Sequence, residues 1–406
     1  MKRGHASLGA ALLVVMVAAA LLGSILPASA QAPGPERKIV VFQEWVVNEP
    51  AQAAIVRGVG GVVIKPLPVI NGMAVYLPSP AVGALLRRAA VRRIDDDLTI
   101  FAIGRVSVLD RPVATGKPAP PPQPSQTVPW GIARIDAPSA WAYSTGAGVK
   151  LAIVDTGIDL DHKDLQANIA GGVNTINLLK SANDDNGHGT HVAGTAGAIS
   201  NTIGVVGAAP QVNLYAVKVL GRNGTGWLSD VIEGLTWCID NGMQVVNMSL
   251  GSNSDNQSFH DAATAVYNAG ITQVAAAGNN GDGYGTGTGA VIYPAAYSEV
   301  IAVTATNSAD NLAVFSSYGS AVDLAAPGES IYSTWYDGYY KTLSGTSMAS
   351  PHVAGVAALR LALYPLDPPN QVKAALEASA EDLGDPGWDP YFGAGLVDAL
   401  GAVTVP

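Results

Sequence analysis

Short runs rich in Val, Ile, Leu and Ala recur along residues 126–406 of this 406-residue chain. The runs at 149–154, 213–219, 244–248, 272–276 and 300–305 are short and apolar, as buried strands are. Between them, 229–241 and 258–269 carry apolar residues at helical spacing, and 353–361 reads as another helix. Alternating strands and helices predict an α/β fold: a doubly wound, mostly parallel sheet with helices on both faces.

Residues 37–104 have a different rhythm. A strand at 38–47, a helix at 50–58, a hairpin of 61–69 with 73–77 turning at Asn71-Gly72, a helix at 80–90 and strands within 91–102 are expected. The order β-α-β-β-α-β predicts a small α+β unit of the split βαβ, ferredoxin-like plan. Residues 109–125 hold six prolines and read as an extended, exposed linker. The expected segments are therefore 1–30, 31–108, 109–125 and 126–406.

The first thirty residues read as an export signal. Lys2 and Arg3 precede an apolar stretch at 10–22, and Ala28-Ser29-Ala30 fits a cleavage site. An uncleaved membrane anchor is the rival, and Gly23, Ser24 and Pro27 interrupt it. No later stretch is long and apolar enough to span a bilayer.

Cys238 is the only cysteine, so no intramolecular disulfide can form, and its apolar surroundings predict a buried packing role. Charge divides sharply. Residues 1–125 hold 13 Lys and Arg against 7 Asp and Glu, a net of +6; residues 126–406 hold 9 against 25, a net of −16. The acidic part predicts solubility and no nucleic-acid partner.

Candidate chemistry centres on Gly345-Thr346-Ser347-Met348-Ala349-Ser350-Pro351-His352. A Gly-rich turn runs into an apolar helix there, so Ser347 is expected at a helix N-terminus, where free N–H groups favour developing negative charge. Pro351 is expected within the first helical turn. A serine in this place also serves as an ordinary N-cap. Asp155 ends the first strand of the large domain, where a carboxylate can orient an imidazole or form an Asx turn. His188 opens another helix as a candidate base. His191, three residues on, makes a metal pair the rival reading, although no H-E-x-x-H is present. Asn279 follows the strand at 272–276 and can offer an N–H to an oxyanion.

Together these motifs, in the order Asp, His, Asn, Ser, resemble the subtilisin-like serine proteases over essentially all of 126–406. Pro129-Trp130-Gly131, the stretch 215–220 and Asn247-Met248-Ser249-Leu250-Gly251 are similar to those of bacterial subtilisins. The resemblance implies a secreted, monomeric serine endopeptidase made as a preproenzyme and acting on proteins or peptides through an acyl-enzyme. It implies that Asp155 orients His188, His188 activates Ser347, and Asn279 with the Ser347 N–H stabilises the oxyanion. His191 and His352 are then structural.

An extended substrate is expected between two edges, Ser249-Leu250-Gly251 and Gly224-Thr225-Gly226. Ala276, Gly278 and Ile292 are expected to shape the pocket for the residue before the cut. Many subtilisins have Gly before Tyr-Pro where Ile292 stands, so a shallow pocket that disfavours large aromatics is expected. The family's calcium site matches Gln126, Asp164, Ile199, Asn201, Ile203 and Val205, with side-chain oxygens from Gln126, Asp164 and Asn201 and carbonyls from the rest. A second, weaker site would use the carbonyls of Ala295, Tyr297 and Val300. The basic N-terminal unit would act as an intramolecular inhibitor and folding aid, released by autocleavage in the linker just before Gln126. A narrow kexin-like processing enzyme and a catalytically silent binding protein on the same scaffold are the alternatives.

Overall fold

In β6 (Lys150–Asp155), Leu151 and Ile153 join one apolar layer and Ala152 and Val154 the other. β8 (Asn213–Lys218) behaves alike, with Leu214 and Ala216 opposed to Val217. A strand apolar on both faces belongs to a sheet covered on both sides. The computed structural model describes residues 34–46, 48–104, 123–281 and 289–405, and residues 35–406 form one unit. The expected export signal and linker residues 109–122 lie outside the described residues.

The sheet also contains β7 (Ile169–Asn174), β10 (Val245–Met248), β12 (Thr272–Ala276), β13 (Ile301–Thr306) and β14 (Leu324–Pro327). Its order is β14-β13-β12-β10-β6-β8-β7, with every pairing parallel. One face is covered by α3 (Trp130–Arg134), α4 (Ala137–Ala140), α5 (His188–Gly197), α8 (Thr346–Leu363), α9 (Pro369–Ser379) and α10 (Ala399–Thr404). The other is covered by α6 (Leu228–Asp240) and α7 (Gln257–Asn268), with Cys238 buried there as expected. A hairpin of β15 (Ile331–Trp335) and β16 (Tyr339–Leu343) packs beside α5. Truncating a core side chain such as Leu151 to Ala would cost about 2–5 kcal/mol.

The N-terminal unit follows the expected order: β1 (Glu36–Phe42), α1 (Glu49–Arg57), β2 (Val62–Leu67), β3 (Gly72–Leu77), α2 (Ser79–Leu86) and β4 (Val91–Asp96). Its antiparallel sheet runs β2-β3-β1-β4. One face and the two helices enclose a core of Val40, Phe42, Val56, Met73, Leu77 and Leu85. From the other face, Ile39, Val41, Leu67 and Ala74 join the core that holds α6 and α7.

Charges meet across this contact. Lys65 Nζ lies 2.5 Å from Asp230 and 2.6 Å from Glu233. Arg93 lies 2.6 Å from Asp261. At the start of α6, Asp97 accepts from the Ser229 N–H at 2.8 Å, where a carboxylate suits the helix dipole.

Three details differ from the sequence expectation. The hairpin turns through a 3-10 turn at Pro68–Ile70, with Asn71 left-handed at φ 50°. The stretch 91–102 divides: β4 stays in the small sheet, whereas β5 (Thr99–Ala102) leaves it and pairs with the large domain. α8 begins at Thr346, so Pro351 falls in its second turn instead of its first.

Candidate active site

Asp155 ends β6 and His188 begins α5, both fully buried. His188 Nδ1 lies 2.8 and 3.0 Å from the two Asp155 oxygens, and the Thr156 N–H donates to Asp155 Oδ1 at 2.7 Å. Burial resists protonation of His188, but the charge of Asp155 and its hydrogen bond outweigh that, so the pKa lies above the ordinary imidazole value. His188 Nε2 is buried and has no hydrogen-bond partner among the described residues.

Ser347 is the second residue of α8, as the sequence predicts for a helix N-terminus. Its hydroxyl donates to the Ile103 carbonyl, and the Ser249 carbonyl lies 3.0 Å away. A hydrogen bond from Ser347 to His188 is not formed; the Ile103 carbonyl takes the hydroxyl instead. Asn279 is held by Thr346, whose N–H and hydroxyl each donate to its Oδ1 at 3.0 Å. Its Nδ2 thereby faces Ile103, donating to that carbonyl at 3.3 Å. A Cβ on Gly345 would sit 3.0 Å from the Ile103 oxygen and 3.1 Å from Asn279 Nδ2, a tight fit that would press on both groups.

β5 lies between two edges. It pairs antiparallel with β11 (Leu250–Gly251) on one side and β9 (Thr225–Trp227) on the other. The Ile103 N–H donates to the Ser249 carbonyl at 3.0 Å and the Ala102 N–H to Gly224 at 2.9 Å. Both expected substrate edges thus flank a segment of the chain itself. Ile100 and Ile103 are its buried side chains. Ile103 clusters with Ala276, Ile292 and Phe101. A Cβ on Gly251 or Gly278 would lie 2.7 or 2.9 Å from Ile292 side-chain carbons, so Ile292 fills the space between them. Residues 282–288 of the neighbouring loop lie outside the described residues.

The two other candidate histidines face elsewhere. His191 Nε2 lies 3.0 Å from the Ile331 and Lys341 carbonyls, and His352 Nδ1 donates to Met348 at 2.8 Å. Burial pushes His191 down to about 3 and His352 down to about 4. With His188 bound to Asp155 and His191 to carbonyls, the two do not converge as metal ligands. No cluster of three His, Cys, Asp or Glu suited to a metal occurs among the described residues.

The residues expected to bind calcium, Gln126, Asp164 and the loop 199–205, do come together. The Gln126 amide nitrogen points at the carbonyls of Ile199 and Val205, 3.0 and 3.2 Å away, and at Asn201 Oδ1, 3.5 Å away. Asn201 Nδ2 donates to Asp164 at 2.8 Å, and the Ile203 N–H donates to Asn201 Oδ1 at 2.6 Å. The Ile199 and Val205 carbonyls and the Asp164 carboxylate, oxygens of the kind a hard divalent cation takes, are thus met by the amide nitrogens of Gln126 and Asn201. Ala295, Tyr297 and Val300 are buried around the turn after Pro294, where the Val300 N–H already takes the Tyr297 carbonyl.

Sequence reading missed the orienting role of Thr346 and the entry of β5, with Ile103 and Gly104 after it, into the cleft. The isoleucines at 100 and 103 were its only visible signal. Among the described residues, no helix is long and apolar enough to cross a membrane.

Comparison with known proteins agrees with this geometry. A family model described as "Subtilase family" matches residues 146–395. Subtilisin DY of Bacillus licheniformis is 46% identical over 279 residues, 68% of this chain and 99% of that protein. Subtilisin Savinase of Lederbergia lenta is also 46% identical, with the same coverage. A thermostable alkaline protease of Halalkalibacterium halodurans is 48% identical over 276 residues, 68% of this chain and 73% of that one. The chain belongs to the subtilase family and is a serine endopeptidase of the subtilisin type.

Proposed function

We propose that this protein is an exported endopeptidase that works through Asp155, His188 and Ser347 and is held inactive by its own residues 35–103. The observation that carries the reading is the Ile103 carbonyl, which accepts from both the Ser347 hydroxyl and Asn279. A scissile carbonyl would take that place. Ser347 attacks it while His188 accepts the hydroxyl proton, and Asn279 donates to the oxygen as charge develops. Asp155 holds the imidazole with Nε2 free and stabilises the imidazolium.

Backbone pairing with residues 224–226 and 249–251 makes the enzyme tolerant of sequence. Selectivity then rests on the two buried positions, and the substrate class is extended protein segments with aliphatic residues before the cut and three residues earlier. The basic N-terminal unit acts as inhibitor and folding aid, consistent with Lys65 and Arg93 meeting acids of α6 and α7. Gln126, Asp164, Ile199, Asn201, Ile203 and Val205 would hold a calcium ion, which would supply structural stability. The weaker set at Ala295, Tyr297 and Val300 would be secondary. Residues 1–30 would direct export, and the working form would be a soluble monomer.

A fluorophosphonate label tests the reading. It should modify the processed protein at Ser347 and fail on Ser347→Ala, which should also stay uncleaved. An unlabelled Ser347 in processed protein would sink it.

A further inference from the structure

Two anchored segments lie on either side of residues 105–122. On one side, Ile103 presents its carbonyl to Ser347 and Asn279. A Cβ built on Gly104 would stand 3.0 Å from His188 Nε2, so the residue after that carbonyl faces the unpartnered nitrogen of the base. On the other side, residues 123–127 are already docked. Gln123 donates to the Gly338 carbonyl at 3.2 Å and accepts from Tyr340 at 2.9 Å. The Gly204 N–H donates to Pro124, Gln126 to Thr202 and Thr127 to Gly204, at 2.8, 3.1 and 2.8 Å. The bond before Gln126, expected from the sequence as the cleavage point, is therefore held in a ladder with the loop at 199–205.

We propose that the first self-cleavage breaks the Ile103–Gly104 bond, and that residues 123–127 are docked before the cut and stay docked after it. The processed enzyme then begins at Gly104 and keeps 104–125 as an N-terminal arm ahead of the oxygen-lined loop. Docking of that loop does not wait for processing. The inference rests on the function proposed above.

The step balances within the site. Ser347 Oγ bonds to the Ile103 carbonyl carbon and its proton passes to His188 Nε2. The carbon–nitrogen bond to Gly104 breaks, and the same proton goes to the departing amine. Water then hydrolyses the Ile103 ester, leaving an Ile103 carboxylate and restoring the Ser347 hydroxyl. The arm carries Arg105, Arg111 and Lys117 against Asp110, so the processed chain has a net charge of −14 where residues 126–406 alone have −16.

The test follows the full chain through processing by N-terminal sequencing and intact mass, with fluorophosphonate labelling in parallel. The earliest new N-terminus should read Gly104-Arg105-Val106-Ser107, appearing at a rate independent of protein concentration. Gly104→Pro should slow that first cut at least 100-fold. A first N-terminus within 109–126, or unslowed processing of Gly104→Pro, would overturn the assignment while labelling of Ser347 still upheld the protease. Absence of both cleavage and labelling would sink the two together. Docking before the cut has its own readout: in uncleaved Ser347→Ala, the bonds around Gln126 should resist an added protease. Rapid cleavage at 123–127 there would overturn it.

Discussion

The Ser249 hydroxyl donates to the Ser347 carbonyl at 3.0 Å, the acceptor that Pro351 leaves without a helical partner four residues on. Asn247 donates to the same hydroxyl at 3.0 Å and Ser350 to Asn247 at 2.7 Å, closing a buried network behind the nucleophile. The missing helical bond is thus replaced by one from the substrate edge. Ser249→Ala keeps the backbone edge but leaves the Ser347 carbonyl unpaired. A loss of about 1 kcal/mol is expected, roughly fivefold in kcat with KM little changed. Steady-state kinetics on a peptide substrate checks it.

Protonation of His188 sets the acid limb. Its pKa stands above the ordinary imidazole value, and the base must be neutral to act. Self-cleavage should therefore decline as pH falls through a midpoint above about 6.5. Asp155→Asn removes the charge that raises the pKa and should slow cleavage about 10⁴-fold. The rate of precursor disappearance against pH measures both.

His191 and His352 are buried neutral, with pKa values pushed down to about 3 and about 4. Folding disfavours their protonation, so their contribution to stability is complete above the unfolded value near 6.5 and is lost as pH falls below it. Each should contribute a slope of about 1.4 kcal/mol per pH unit between roughly 6.5 and 4. Denaturant melts of Ser347→Ala at several pH values would show the slope, and His352→Gln should reduce it.

Lys65 offsets the burial of Asp230, whose carboxyl burial pushes above the usual range and Lys65 draws back. Lys65→Ala leaves that acid unpaired against α6. The cleaved N-terminal fragment should leave at least tenfold faster, with the wild-type release rate rising at high salt. Recovery of activity after the first cut is the readout.

EDTA should lower the thermal midpoint of Ser347→Ala, and Asn201→Ala should lower it with or without chelator. An unchanged midpoint in EDTA would count against the calcium assignment.

Much of the architecture was readable from the chain because its signals are local. The apolar runs at 149–154, 213–219 and 272–276 became central strands, and Ser347 lies at the helix start that its Gly-rich turn predicted. The positions of Asp155 and Asn279 followed from strand ends. What could not be read was long-range. The stretch 91–102 reads as the last strands of the small unit, and only pairing with residues far along the chain decides that its end enters the cleft. Pro351 is the exception among the local signals: with α8 starting at Thr346 it stands one turn further in than a proline usually does.

The bonds from Ala102 and Ile103 to Gly224 and Ser249 both require a backbone N–H, which proline lacks. A peptide with proline in either place forfeits one of the two rungs that hold it. Pro118, Pro120, Pro121 and Pro122 make the stretch just before the docked segment a poor match to this cleft. An enzyme tolerant of nearly any extended chain would thereby be spared trimming of its own leading end, and its product would keep one defined length.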